Sequence, residues 1–476
     1  MNYLDIFPLP SNSNLIHPWH FALCTTHQAL GATHCALRTR HLAPGTLHLA
    51  LRTTHYELRT THYALRTTHY ALNIQFALLL IFNEICNQIP IFPDIMNIDI
   101  ALAEGLKTPL YWYDLTLLND TLDEIKKCIE NKPVKVHYAV KANCNPKILK
   151  VIAEAGLGAD CVSGREVTAA IKAGFKPDTV CYAGVGKTDR ELIGGMQAGI
   201  AYFNVESLEE LEVLESLAQE YGYKPNVCLR VNPNIDAHTH HYITTGLEEN
   251  KFGIHLLMLQ KAVDFTVNSQ NLNLVGLHFH IGSQITEMSP FKFLCQKINE
   301  LQDEYAAKGI EFKVINVGGG LGVDYENPDE NPIPDFKGYF TTLLDNLKLR
   351  PGQELHCELG RSIVAQCGSL ISKVTYVKKG VNRNFIILDA GMNDLMRPAL
   401  YGAHHKIENV TAPTDAPVEI YDVAGPICES SDVFGKEEKL PLTKRGDLIA
   451  LRSAGAYGES MASTYNIRTL PESVLV

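Results

Sequence analysis

Lys141 closes an apolar run, 134–141, in which Val134, Val136, Tyr138 and Val140 recur at every second position. β-Branched and aromatic residues at period two read as a short buried strand. A lysine at its end is awkward for a core and useful for a site. Its amine becomes a nucleophile once it loses its charge, which partial burial favours. The plainer alternative is an ammonium snorkelling to water from a strand end. Further along, Gly318-Gly319-Gly320-Leu321-Gly322 follows another apolar run. Successive glycines let backbone N–H groups close on an anion, although the spacing is not GxGxxG and so does not indicate a dinucleotide fold. The next apolar run ends in Glu358-Leu359-Gly360-Arg361. A carboxylate and a guanidinium three residues apart form an exposed ion pair in most settings. Beside a glycine-rich anion loop they can instead hold a ring nitrogen and a phosphate.

These residues need elements to position them. After Met96, short apolar runs at 134–141, 158–163, 179–184, 201–206, 227–232, 274–280, 314–318 and 354–358 alternate with amphipathic stretches at 146–155, 165–173, 208–220 and 291–307. Leu208, Leu211, Leu214 and Leu217 show the helical stripe, with glutamates between them. Strand–helix units in series predict a (β/α)8 TIM-type barrel, whose active site sits at the C-terminal ends of the strands. Near-continuous apolar strands suit a parallel sheet covered on both faces. Most of the strand ends carry polar residues or glycine: Lys141, Asp160, Asn204, Glu206, Arg230, Asn232, His278, His280, Gly318–Gly320, Glu358 and Arg361. From about Ala365 the rhythm changes to strand-like runs at 370–377, 384–390, 418–423 and 447–452 without helices between them, which predicts an appended C-terminal antiparallel β domain.

Composition bounds the function class. The chain has 476 residues, 46% apolar and 20% charged, an ordinary globular composition with room for two domains. A net charge of −11 argues against nucleic acid as a partner. No apolar run approaches the roughly 20 residues needed to span a bilayer. Twelve cysteines without a CxxC pair suggest neither a zinc site nor a redox motif, so no metal is expected. Reduced thiols of this kind fit a cytoplasmic protein. Residues 1–95 are different. Histidine recurs every seven residues from His20 to His69, and Leu-Arg-Thr-Thr-His-Tyr repeats from Leu51. A coiled-coil seam needs apolar residues three and four apart, which this unit lacks. It reads as a translated tandem repeat lying upstream of a start at Met96, disordered where present. The resulting organisation is 1–95 low-complexity repeat, 96–118 a leading strand of the β domain, 119–364 barrel and 365–476 β domain.

Seven short motifs in order resemble the diaminopimelate decarboxylase family of fold-type III, alanine-racemase-like pyridoxal-phosphate enzymes. They are His137-Tyr138-Ala139-Val140-Lys141-Ala142-Asn143, Gly158-Ala159-Asp160-Cys161-Val162-Ser163, His278-Phe279-His280-Ile281-Gly282-Ser283-Gln284, the Gly318–Gly320 loop, Glu358–Arg361, Gly425-Pro426-Ile427-Cys428-Glu429-Ser430-Ser431-Asp432 and Gly455-Ala456-Tyr457-Gly458. The resemblance implies that Lys141 carries pyridoxal 5′-phosphate as a Schiff base and that His280 stacks on its ring. It further implies that Ser283, Gly319, Gly320, Arg361 and Tyr457 surround the phosphate, that Glu358 keeps the pyridine nitrogen protonated so the ring is an electron sink, and that Asp160 supports lysine or ring. His278 has no assigned role and reads as a core histidine.

The implied reaction is decarboxylation of meso-2,6-diaminopimelate to L-lysine and CO2, the last step of lysine biosynthesis. The resemblance further implies that Cys428, from the neighbouring subunit of a homodimer, returns the proton. A thiol suits that task because its reference pKa of roughly 8.5 keeps it protonated at neutral pH. Arg397 and Tyr401 match the family's binders of the distal carboxylate, Glu429 its binder of the distal ammonium, and Arg361 and Tyr457 also touch substrate. Alternatives on the same fold are decarboxylases of ornithine, arginine or carboxynorspermidine, which mostly lack a distal amino-acid head and give Arg397 less purpose. A catalytically silent regulatory relative should have lost Lys141 or Cys428, and both are present.

Overall fold

The computed structural model describes residues 105–233, 251–413 and 415–476. The histidine repeat and the expected start at Met96 lie outside them. After strand β1 (Leu110–Tyr113) and the helix Leu115–Ile129, eight strands run in parallel: β2 (Val134–Ala139), β3 (Gly158–Cys161), β4 (Val180–Tyr182), β5 (Tyr202–Val205), β6 (Asn226–Asn232), β8 (Asn273–His278), β9 (Val314–Asn316) and β10 (Glu354–Leu359). The two-residue β7 (Ile254–His255) pairs beside β6. Hydrogen bonding follows the order β5-β4-β3-β2-β10-β9-β8-β6, and β5 pairs with β6 to close the ring. The barrel expected from the alternating runs is therefore present.

The helices form where the stripe and the caps agree. Leu208–Tyr221 begins at Ser207, whose side chain accepts from the Glu210 N–H, and Glu209 and Glu210 occupy the positive first turn. It stops at Gly222, which is left-handed. Leu211, Leu214 and Ala218 face the barrel and are buried. Each large aliphatic side chain buried this way contributes about 1.5–3 kcal/mol relative to exposure.

The second sheet is mixed, which corrects the antiparallel expectation. Its remaining strands are β11 (Gly368–Lys379), β12 (Asn384–Leu388), β13 (Ile407–Asn409), β14 (Val418–Ala424), β15 (Val433–Pro441), β16 (Leu448–Leu451) and β17 (Glu472–Leu475). The order is β13-β16-β11-β12-β14-β15, with β1 on β11 and β17 on β1. β12 pairs with β14 in parallel, as does β1 with β17. The reason is connection length: the chain between β12 and β14 is long enough, passing through the short helix Arg397–Tyr401 and β13, to re-enter the sheet in the same direction. β15 was not legible as a strand because its middle, Gly-Lys-Glu-Glu-Lys, is an exposed edge rich in charge.

Buried charge ties barrel to sheet. Arg452 donates to Asp329 from the barrel side at 2.7 Å and to Glu408 on β13 at 2.6 Å. Lys406 pairs with the same two carboxylates. Among the described residues no helix is long and apolar enough to cross a membrane. Seven of the nine described cysteines are buried and all nine are free thiols; Cys144 and Cys428 are exposed.

Candidate active site

Lys141 is not on β2 itself. The strand stops at Ala139, and a single 3-10 turn, Val140–Ala142, lifts the lysine onto the barrel mouth. The turn is held from the β domain. The Tyr457 N–H donates to the Ala142 carbonyl at 2.7 Å, and Asn143 Nδ2 donates to the Gly455 carbonyl at 2.9 Å and the Tyr113 hydroxyl at 2.8 Å. Lys141 then faces a cavity of about 170 Å3 whose lining includes His280, Ser283, Gly320, Glu358, Arg361 and Arg397. Tyr401 and Tyr457 also line it. Residues more than 300 positions apart in the chain thus share one small space.

The side chain of Lys141 is 40% exposed, to the cavity. Burial works to strip its charge, but Asp160, Tyr457 and Glu358 outweigh burial and raise its pKa. This corrects the expectation of an amine neutralised by burial: on its own the site holds an ammonium. Asp160 Oδ2 lies 3.8 Å from Nζ, and neither Asp160 oxygen has a hydrogen-bond partner although both are buried. Burial first, and Glu358 second, push the Asp160 carboxyl well above its ordinary range.

Glu358 goes the other way. Asn204 and Asn316 donate their amides to Oε1 at 3.0 and 2.7 Å, and His278 donates Nε2–H to Oε2 at 3.0 Å. Burial opposes the charge, but His278, Lys141 and His280 outweigh it, so the carboxyl is held well below the usual carboxylate range. Two carboxyls near one amine are pushed apart in pKa, which marks a built site more than a packed core. His278, read from sequence as a core histidine, is thus part of the site; Asn204 and Asn316 join it. A polar residue ending an apolar strand was the available signal for His278 and Asn204. Asn316, buried just before three glycines, carried little.

The glycine loop is shaped by close approach. A side chain on Gly319 would sit 2.0 Å from the Glu358 carbonyl oxygen, and Gly320 adopts φ +119°. The Gly319 N–H donates to His280 Nδ1 at 3.2 Å, which leaves the ring proton on Nε2. Burial, then Lys141 and Arg230, pull the His280 pKa well down, so the ring is neutral.

Two buried guanidiniums complete the lining. Arg361 donates to the Tyr325 hydroxyl at 2.6 Å and to Ser283 Oγ at 3.1 Å, and lies 4.9 Å from the Tyr457 ring centroid. Arg397 lies 4.8 Å from the Tyr325 ring centroid and donates to His405 Nε2 at 2.8 Å. Among the described residues no carboxylate pairs with either arginine, unlike buried Arg230 with Glu206 or Arg452 with Asp329 and Glu408. Tyr325 and His405 were not singled out from the sequence.

Cys428 and Glu429 are placed elsewhere. They follow β14 in an exposed loop tied to the segment near the C-terminus: the Cys428 N–H donates to Asn466 at 3.3 Å, and Tyr465 donates its hydroxyl to Glu429 at 2.6 Å. Neither lines the Lys141 cavity of its own chain.

The donor set fits pyridoxal 5′-phosphate. An amine, a firmly anionic carboxylate set among three donors, a neutral imidazole and a side-chain-free loop with buried cations meet in one cavity. A site for an aldehyde, an aromatic nitrogen and a phosphate needs those groups. Residues 115–365 match the family described as pyridoxal-dependent decarboxylase, pyridoxal binding domain. The chain is 57% identical over 368 residues to a diaminopimelate decarboxylase of Bacteroides thetaiotaomicron, covering 77% of this chain and 95% of that protein. It is 41% identical over 376 residues to that of Aquifex aeolicus, covering 79% and 88%. The structure of diaminopimelate decarboxylase from Helicobacter pylori complexed with L-lysine superposes with a TM-score of 0.74 at 41% identity, covering 79% of this chain and 93% of that one. A lysine/ornithine decarboxylase from Vibrio vulnificus, at 20% identity and TM-score 0.68, shares the fold. The chain belongs to the diaminopimelate decarboxylase family of pyridoxal-dependent decarboxylases.

Proposed function

We propose that this chain decarboxylates meso-2,6-diaminopimelate to L-lysine and CO2, with the cofactor held by Lys141 and the site completed by a second copy of the chain in the cytoplasm. The carrying observation is the pair of buried arginines, Arg361 and Arg397, without carboxylate partners among the described residues, in the cavity that holds Lys141 and Glu358. Uncompensated buried cations are costly and call for an anionic ligand. A phosphate accounts for one guanidinium; a substrate carboxylate that survives the reaction accounts for the other. Ornithine and arginine offer no such second carboxylate.

Pyridoxal 5′-phosphate, when bound, supplies an aldehyde that condenses with amines and a ring that accepts the electron pair left when CO2 departs. The residues divide the remaining work. Lys141 Nζ would anchor the cofactor until the substrate amine takes its place. Glu358, fixed by Asn204, Asn316 and His278, would keep a proton on the ring nitrogen. Neutral His280 would cover the ring without adding a charge that competes for electrons. Gly319, Gly320, Ser283, Arg361 and Tyr457 receive the phosphate, and Asp160 holds the Lys141 amine. Arg397 and Tyr401 orient the distal carboxylate so that the other carboxylate is the one lost. Cys428 Sγ of the second copy returns a proton to the carbon, and Glu429 takes the distal ammonium. Both sit on an exposed loop outside their own chain's cavity, which supports a shared site.

The test is product analysis with purified cofactor-loaded protein. CO2 and L-lysine from meso-diaminopimelate, with ornithine and arginine turned over far more slowly, are expected. Equal or faster turnover of ornithine would reject the assignment.

A further inference from the structure

Arg397 is held by groups chosen for their lack of charge. Arginine only donates, so His405 must accept with a bare Nε2 at 2.8 Å. The ring proton is then on Nδ1, which donates to the Arg452 carbonyl at 2.8 Å. Both contacts of the imidazole are thereby satisfied by one neutral tautomer. His405 is fully buried, and burial first, then Arg397, pull its pKa down to about 3. Its face is packed edge-on by Tyr325, whose ring also lies against Arg397 and whose hydroxyl accepts from Arg361. Arg452 is itself held at both ends: its backbone N–H donates to the Lys406 carbonyl at 2.9 Å, and its guanidinium is clamped by Asp329 and Glu408. Arg230 and Arg452, which do not line the cavity, are oriented by carboxylates that cancel their charge. Arg397, which lines it, is oriented by an imidazole that does not.

We propose that His405 is a positioning residue that fixes the Arg397 guanidinium toward the cavity while leaving its charge unquenched, and so sets the enzyme's selectivity for a substrate with a distal carboxylate. This rests on the substrate reading above. The general logic is that an arginine paired to an internal carboxylate has its charge largely cancelled and part of its donor fork occupied, so it attracts an external carboxylate less. An arginine held by a neutral acceptor keeps its orientation and its full attraction.

Two variants of nearly equal shape separate charge from packing. His405→Gln supplies a neutral acceptor at the reach of Nε2, and His405→Glu supplies an anionic one. Cofactor-loaded full-length proteins are titrated with L-lysine, which keeps the carboxylate, and with cadaverine, which lacks it, following the visible absorbance. His405→Gln is expected to stay within a few-fold of the parent for L-lysine. His405→Glu should weaken L-lysine about tenfold or more, the scale of one charge-assisted contact, while cadaverine binding is unchanged. KM for meso-diaminopimelate should follow the L-lysine pattern. Equal L-lysine affinity in the two variants, or parallel loss for L-lysine and cadaverine, overturns the proposal. Should His405→Glu not fold, His405→Met replaces it: loss in Met and retention in Gln is required, and equal affinity refutes. If the unaltered protein binds L-lysine but releases no CO2 from meso-diaminopimelate, the substrate reading fails while the titrations still decide the role of His405.

Discussion

Glu358→Gln separates what Glu358 does for the fold from what it does for the reaction. The amide oxygen can keep both bonds from Asn204 and Asn316. The amide nitrogen then faces His278 Nε2, which donates to the carboxylate in the native protein at 3.0 Å. His278 can move its proton to Nδ1, a buried atom with no partner to lose, and accept instead. Three charge-assisted bonds become neutral ones, a loss partly offset because a buried charge no longer has to be desolvated, so the expected net loss of stability is about 1 kcal/mol. The loss to catalysis is larger because the negative charge opposite the ring nitrogen disappears. A unit charge at ~4 Å and an effective dielectric of ~20 is worth about 4 kcal/mol, or roughly a thousandfold in rate. Thermal unfolding of the cofactor-free protein and CO2 release from the loaded one measure the two effects separately. Turnover within tenfold of the unaltered enzyme, with the cofactor bound, would refute the assignment of Glu358. A collapse of the cofactor-free fold would refute the argument that His278 adapts.

Lys141→Ala should abolish the visible absorbance of the bound cofactor and all turnover; persistence of that absorbance would show that another amine anchors it. Cys428→Ala should keep the cofactor spectrum and lose most turnover, and unchanged turnover would mean another group supplies the proton. Acid sensitivity has a defined window. Burial lowers the pKa of His137 from 6.5 to about 4, so below pH 6.5 the unfolded chain takes a proton that the folded chain refuses until about pH 4. Stability is full above that window and falls through it, by ~2 kcal/mol between pH 7 and pH 5 for this residue. Urea unfolding at the two values should show a smaller difference in His137→Gln, and an undiminished difference would discount the histidine.

Legibility differed by element for physical reasons. The barrel strands could be read because each is covered on both faces and so is apolar almost throughout. The helices could be read because one face alone is buried and their caps are local. β15 and the short β13 could not, since their pairing satisfies backbone groups while their side chains face water or span too few positions. The parallel pairing of β12 with β14 depends on where a long connection returns, which no local pattern encodes.

The same division runs through the site. Lys141, the glycine loop, Glu358 and Arg361 stood out because a charge or a run of glycines conflicts with the apolar run it ends. That conflict is a property of the chain alone. The grouping of Asn204, Asn316 and His278 around one carboxylate, the reversal of the Lys141 charge preference by Asp160 and Tyr457, and the neutral tautomer of His405 beneath Arg397 exist only where distant segments meet. Electrostatic character is set by which dipoles and charges lie within a few ångströms in a desolvated space, and sequence spacing carries no measure of that distance.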